Sequence, residues 1–320
     1  MNNSKFDPNN ELVSIIIPTY NRADLIGDTL DSIVDQTYSN WECIIIDDHS
    51  NDDSFSVISK YVELDSRFSY YSRPIERPKG ANSCRNYGYK LSQGIYINWF
   101  DSDDLMCPTF LEKQLNSLSL GADVSVCKLE YFDAESGCWG KINNIYSENL
   151  IQDYLIGKVQ FYVSPPMWTK KFLANQIELF DETIRNLDDW DFNLRMIYQK
   201  PKITYLDEVL IKYRVHSRSL SQQIKKLDID EVKSEFRARH KHSQIIKNNN
   251  LIDLSIVQVY IKDRYKYLFR EAMVRRDEHN FYYLKGLLFS QLYLFDFLGV
   301  FKTLFGFLVF RIFNKGYKLL

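Results

Sequence analysis

The 320-residue sequence contains no uncharged apolar run long enough to cross a bilayer. The nearest stretch, residues 286–310, is interrupted by Asp296 and Lys302. Each would cost about 3 kcal/mol at a bilayer centre. The polar start has no apolar segment of the secretory kind. Cysteine is scarce: Cys43, Cys84, Cys107, Cys127 and Cys138 form no C-x-x-C pair. That argues against a zinc ribbon or thioredoxin-like motif and suits reduced thiols in the cytoplasm. With 12 glycines and 8 prolines, collagen-like and linker-dominated architectures are excluded. Neither sign of charge dominates: 40 lysines and arginines face 42 acids, a net of −2, so no nucleic-acid partner is expected. Against these absences stand a 45% hydrophobic fraction, enough for a core, and 15% aromatics that crowd toward the C-terminus.

Hydrophobic patterning gives strands at residues 13–18, 42–47, 67–72, 94–100 and 122–131, with helices at 21–36, 55–64, 80–91 and 108–118. Such alternation predicts an α/β fold with a parallel sheet between helical layers. Ligands of such sheets bind beyond the carboxyl ends of the strands. After about residue 225 strand alternation stops and the pattern is helical. The expected division is 1–222 for the α/β part and 223–320 for a helical extension.

Polar clusters sit where strands end. Asp101, Ser102, Asp103 and Asp104 follow an apolar strand. Carboxylates this close repel one another. They suit a hard divalent ion, Mn2+ or Mg2+, that leaves room for phosphate oxygens; the alternative is an acidic helix start. Asp47 and Asp48 end another strand and read either as acceptors for a base or ribose or as an Asx turn. Gly80 opens a short helix on which Arg85 and Asn86 can face one cleft; the guanidinium suits a diphosphate, or makes an ordinary surface salt bridge. Asp188, Asp189 and Asp191 open a helical pattern and offer either a general base or favourable placement at a helix dipole. His216, with Arg214 nearby, could complete a metal site or touch a diphosphate, although lone histidines usually do neither.

In their order these pieces resemble an inverting glycosyltransferase of family 2. The resemblance rests on residues 13–22, 46–50, 79–88, 100–104 and 188–195 and covers about residues 12–220. It implies the GT-A fold, a Rossmann-like, mostly parallel central sheet flanked by helices. It also implies a nucleotide-sugar donor, favouring a UDP-sugar. Pro18, Thr19, Tyr20 and Arg22 would line the nucleotide, with Asp48 on the base, Arg85 on the base or diphosphate, and Asp101 and Ser102 toward the ribose and donor sugar. Asp103, the second acid of D-x-D, and His216 would hold the metal. Asp189 would be the catalytic base, six residues before Arg195. The chain departs from the family where Asp188 replaces the usual glutamate and where Asp191 adds a third acid. Cys84 stands at a usual alanine.

The implied acceptor is a glycan or lipid-linked glycan in bacterial surface polysaccharide assembly, and residues 152–168 read by position as its side. A nicotinamide dehydrogenase and a P-loop NTPase are excluded because their glycine signatures are missing. A receiver domain would not need residues 188–195, and a nucleotidyltransferase would need a glycine- and lysine-rich loop near the start. The rival from another class is a non-catalytic nucleotide-sugar-binding or assembly protein at the membrane. The aromatic tail, with Arg311, Lys315 and Lys318 at its end, either lies on the cytoplasmic face of a membrane or packs on the α/β part or a second copy.

Overall fold

The computed structural model describes residues 11–133, 137, 139–216 and 227–314. The chain divides into two compact units, Met1–Ser219 and Leu220–Leu320. The expected boundary at 222 falls outside the described residues.

The first unit is built on a nine-stranded sheet. Its strands are β1 (Val13–Thr19), β2 (Trp41–Asp47), β3 (Phe68–Ser72), β4 (Tyr96–Trp99), β5 (Leu105–Met106), β6 (Val124–Asp133), β7 (Trp139–Ile142), β8 (Pro166–Thr169) and β9 (Ile203–Val215). They run in the order β3-β2-β1-β4-β8-β6-β9-β5, with β7 beside β6. The helices are α1 (Ile26–Val34), α2 (Ser54–Leu64), α3 (Ala81–Leu91), α4 (Phe110–Leu118), α5 (Leu150–Leu155), α6 (Lys170–Leu173) and α7 (Asp188–Tyr198).

Strand β1 is buried at every residue, as expected of a parallel strand covered on both faces. It pairs in parallel with β2 and β4, and β2 pairs in parallel with β3. Their carboxyl ends therefore share one edge, and Thr19 lies opposite Asp47. Helix α3 packs closely on this half because residue 88 is glycine: a Cβ there would collide with Ile16.

The fold class is the one expected, with an antiparallel insertion that patterning did not reveal. Strand β8 runs antiparallel to both β4 and β6, and the two-residue β5 runs antiparallel to β9. Parallel pairing returns between β6 and β9, which sets Tyr131 opposite Tyr213. Helix α1 starts later than expected, at Ile26; Asn21 adopts φ 51°, and its N–H and that of Arg22 go to the hydroxyls of Ser50 and Ser54.

The second unit holds α8 (Ile229–Asn249), α9 (Leu254–Arg275), α10 (Asn280–Tyr293) and α11 (Phe297–Phe313). Asp228, Asp253 and Asp296 cap α8, α9 and α11 by accepting backbone N–H bonds. Buried Glu235 accepts from both Arg239 and Arg264, and Phe236 stacks on Tyr265 with ring centroids 3.6 Å apart. Among the described residues no helix is long and apolar enough to cross a membrane. Lys315 and Lys318 lie outside the described residues.

Candidate active site

The strand-end acids take different partners. Asp47 serves its own turn: its carboxylate accepts from the Ser50 N–H at 3.0 Å and hydroxyl at 2.6 Å, and from the Tyr70 hydroxyl at 2.8 Å. Asp48 is buried and ion-paired with Arg73, a residue that carries no motif in the sequence. Beside them, Thr19 Oγ1 is buried without a hydrogen-bond partner. Pro18 and Ser102 are buried too. Tyr20 is exposed at the rim, with Lys79 Nζ 4.0 Å above its ring.

Arg85 joins two of the clusters. Its Nη2 donates to Asp101 at 2.9 Å and its Nη1 to Asp188 at 2.5 Å. Asp188 and Asp101 keep this buried guanidinium charged against the cost of its desolvation. Cys84, next to it on α3, packs with Ile44 and Ile46 of β2, which ties the β2 end to the same neighbourhood.

The remaining acids of the 101–104 run divide their work. Asp104 is buried and structural: its carboxylate accepts from the Arg214 N–H at 3.0 Å, and its carbonyl accepts from Thr29 Oγ1 at 2.9 Å. Asp103, largely buried, pairs with two nitrogens, His216 Nε2 at 3.0 Å and Arg22 Nε at 3.3 Å. Burial alone would raise its pKa, but the His216 hydrogen bond and the Arg22 charge outweigh burial and hold it below the usual range. Asp101 is raised, by burial first.

Helix α7 separates its three acids. Asp191 is 1% exposed and locked to Arg195 at 2.8 Å, so it is no longer a candidate base. Asp188 takes Arg85. Asp189 sits between them, partly buried, accepting the Trp190 N–H at 2.7 Å. Burial, then the like charge of Asp188, push its pKa up to about 7. Leu187, just before the helix, holds φ at 64°, a strained value for a branched residue.

A divalent ion can be tested against these side chains. Asp103 and His216 offer one carboxylate oxygen and one imidazole nitrogen at contact distance. The described residues contain no group of three acid, histidine or cysteine ligands suited to a metal. Mn2+ or Mg2+ commonly takes one or two protein ligands and completes its shell with phosphate oxygens and water. The pair fits that pattern.

Residues 14–178 match the model of a family described as Glycosyl transferase family 2. The chain belongs to this family. An uncharacterized glycosyltransferase of Rickettsia typhi is 32% identical over 218 residues, 64% of this chain and 64% of the relative. The chain thus spans less than two thirds of that relative's length. The putative teichuronic acid biosynthesis glycosyltransferase TuaG of Bacillus subtilis is 40% identical over 104 residues, 32% of this chain and 40% of TuaG. Staphylococcus aureus TarS 1–349, solved in complex with UDP, superposes with a TM-score of 0.56 at 17% identity, covering 87% of this chain and 88% of that one. At that identity the likeness concerns the fold, which is GT-A.

Within this family-2 chain, two sequence candidates spend their side chains outside the 101–104 and 188–191 runs. The Arg214 guanidinium goes to Asp28 on α1 at 2.9 Å. Asn86 spends its amide on the loop before α7, bonding the Phe180 carbonyl at 2.8 Å, Glu182 at 3.0 Å and the Phe180 N–H at 3.1 Å. Asn82 adds bonds to the carbonyls of Asp181 and Ile184 at 2.8 and 2.9 Å, and Arg77 pairs with Glu182 at 2.5 Å. This clamp was missed in the sequence, although positions 82, 85 and 86 lie on one helical face. Tyr162 lies in the 152–168 segment expected on the acceptor side, but its tyrosine partners from β6 and β9 were missed. Tyr162 stacks on Tyr213 at 5.3 Å and shares a 2.7 Å hydroxyl contact with Tyr131. Asn193, one turn after Asp189, holds the Tyr162 carbonyl at 2.5 Å and the Tyr154 hydroxyl at 3.0 Å.

Proposed function

We propose that the protein transfers a glycosyl group from a nucleoside-diphosphate sugar, favouring a UDP-sugar, to an acceptor hydroxyl with inversion at the anomeric carbon. The chemistry is assigned to residues 1–222. The observation that carries the reading is the Arg85 bridge, which joins the D-x-D acids after β4 to the acids that open α7.

Negative charge grows on the leaving diphosphate as the glycosidic bond breaks. Asp103 and His216 would hold Mn2+ or Mg2+ against that diphosphate, and the ion, when bound, offsets the developing charge. Asp48 is held by Arg73 beside the end of β1 and is assigned to the base. Thr19, with its buried unpartnered hydroxyl, and the neighbouring Pro18, Tyr20 and Arg22 are assigned to the nucleotide, and Asp101 and Ser102 to the ribose and sugar. Asp189 takes the acceptor proton. Its pKa of about 7 matches a general base working near neutrality, a role usually contributing about 10²–10⁴-fold. Asp188 cannot easily share that role because Arg85 holds its carboxylate. Attack from the side of Asp189, opposite the leaving diphosphate, inverts the centre. The acceptor side is assigned to Tyr131, Tyr162 and Tyr213. Their support is the Asn193 link to α7 and the positive φ of Tyr162, 35°, a conformation that the surroundings must impose.

The substrate class draws on relatives by analogy: TuaG is named for teichuronic acid biosynthesis, and a glycan or lipid-linked glycan is the acceptor chemistry that fits. The experiment is incubation with UDP-, GDP- and TDP-sugars, Mn2+ and candidate glycan acceptors. Acceptor- and metal-dependent release of nucleoside diphosphate is the expected result. Donor binding without turnover under every acceptor would favour the non-catalytic binding protein.

A further inference from the structure

The last described helix of the second unit packs through Phe307, against Phe269 and Phe281, yet leaves much of its apolar surface exposed. Within α11 the buried residues are Thr303 and Gly306, and Thr303 Oγ1 accepts from Gln291 Nε2 of α10 at 3.0 Å. Around that seam of small residues stand exposed Phe297, Leu298, Phe301, Phe305, Leu308 and Ile312. Helix α10 extends the surface with exposed Phe281 and Phe289, which help line a groove of about 390 Å³. A helix resting on a globular unit normally shows solvent a polar face. A contiguous apolar surface of this kind marks a binding face.

Charge identifies what it binds. Between residues 280 and 314 the charged side chains are Lys285, Lys302, Arg311 and Asp296. The single acid is engaged as the α11 cap, accepting the Gly299 N–H at 2.9 Å. Two of the cations ride on phenyl rings: Lys285 lies 5.8 Å from the Phe289 centroid, and Arg311 lies 5.7 Å from that of Phe281. Cationic heads carried on apolar side chains can reach phosphate headgroups while the rings enter the acyl boundary. A two-fold contact with a second copy would instead set these three cations against three more, while the other acids nearest in sequence, Asp277 and Glu278, stand just before α10. None of the described helices is long and apolar enough to cross a membrane. We propose that α10 and α11 dock the protein on an anionic lipid bilayer, with α11 lying in the interface plane.

The test is flotation of the full chain with vesicles of phosphatidylcholine alone, or with about 30 mol% phosphatidylglycerol to supply anionic charge. Binding to the anionic vesicles should exceed binding to the neutral ones at least about tenfold and weaken with salt. Phe301 and Phe305 are 68% and 51% exposed, so Phe301→Asp with Phe305→Asp should keep helicity and melting temperature yet lose binding at least about tenfold. Lys285→Glu with Arg311→Glu should do the same, and decides the matter if the first variant fails to fold. Three results would overturn the proposal: no flotation with either vesicle, undiminished binding by a folded variant, or a dimer by light scattering that the phenylalanine variant dissolves while no vesicle binds.

Discussion

Arg85 Nη1 lies 2.5 Å from Asp188 Oδ2, a contact between residues 103 apart in the chain. The same guanidinium holds Asp101 at 2.9 Å. Removing it leaves two carboxylates facing each other without a cation. Arg85→Ala should therefore cost about 3–5 kcal/mol, the usual penalty for breaking a buried pair, read as a drop in the urea midpoint. An unchanged midpoint would mean that the bridge is dispensable.

The pKa of about 7 at Asp189 sets the pH response of turnover. A base must be ionised to accept a proton, so kcat/KM should rise with pH through about 7 and level above it. Asp188→Asn removes the neighbouring like charge and should move that rise to lower pH. A flat profile between pH 5.5 and 8 would assign the proton transfer elsewhere.

The same shift bears on stability with the opposite sign. A carboxyl that binds its proton more tightly folded than unfolded stabilises the fold below its ordinary pKa. That contribution declines as pH rises toward about 7, where the folded group ionises. Asp189→Asn carries no such penalty. It should melt higher than wild type at pH 8, with the difference shrinking toward pH 4. Equal melting temperatures at both values would contradict the raised pKa.

Asp103→Ala removes the carboxylate that faces His216 at 3.0 Å. Calorimetry of UDP with and without Mn2+ should then show no metal enhancement. Enhancement equal to wild type would move the ion to other ligands.

Much of this was legible in the sequence because the acids sit in short local runs at the ends of apolar strands. The parallel half of the sheet and the Asp101–Asp104 cluster follow from that pattern. The Asp191–Arg195 pair also has the i,i+4 spacing of a helical ion pair and could have been read. Other parts are not local. Arg73 comes from a segment without motif, and its pairing with Asp48 depends on how β2 and β3 lie together. Strand β8 is four residues long and enters between β4 and β6, a choice set by packing across the sheet. The tyrosine group draws on β6, β9 and the segment before β8, so no single window shows it.

That group gives a separate expectation for the acceptor. Tyr162→Ala should raise the acceptor KM about tenfold, as loss of an aromatic contact of roughly 1.5 kcal/mol implies, while donor affinity stays unchanged. A matching loss of donor affinity would remove the tyrosines from the acceptor side.

The central claim is that Asp189 deprotonates the acceptor beside an otherwise intact donor site. Its most direct test is Asp189→Asn, with donor affinity measured by calorimetry and turnover by nucleoside diphosphate release on the same preparation. Affinity should stay within about twofold of wild type while turnover falls at least about a hundredfold. Near-normal turnover in a variant that still binds donor would contradict the account.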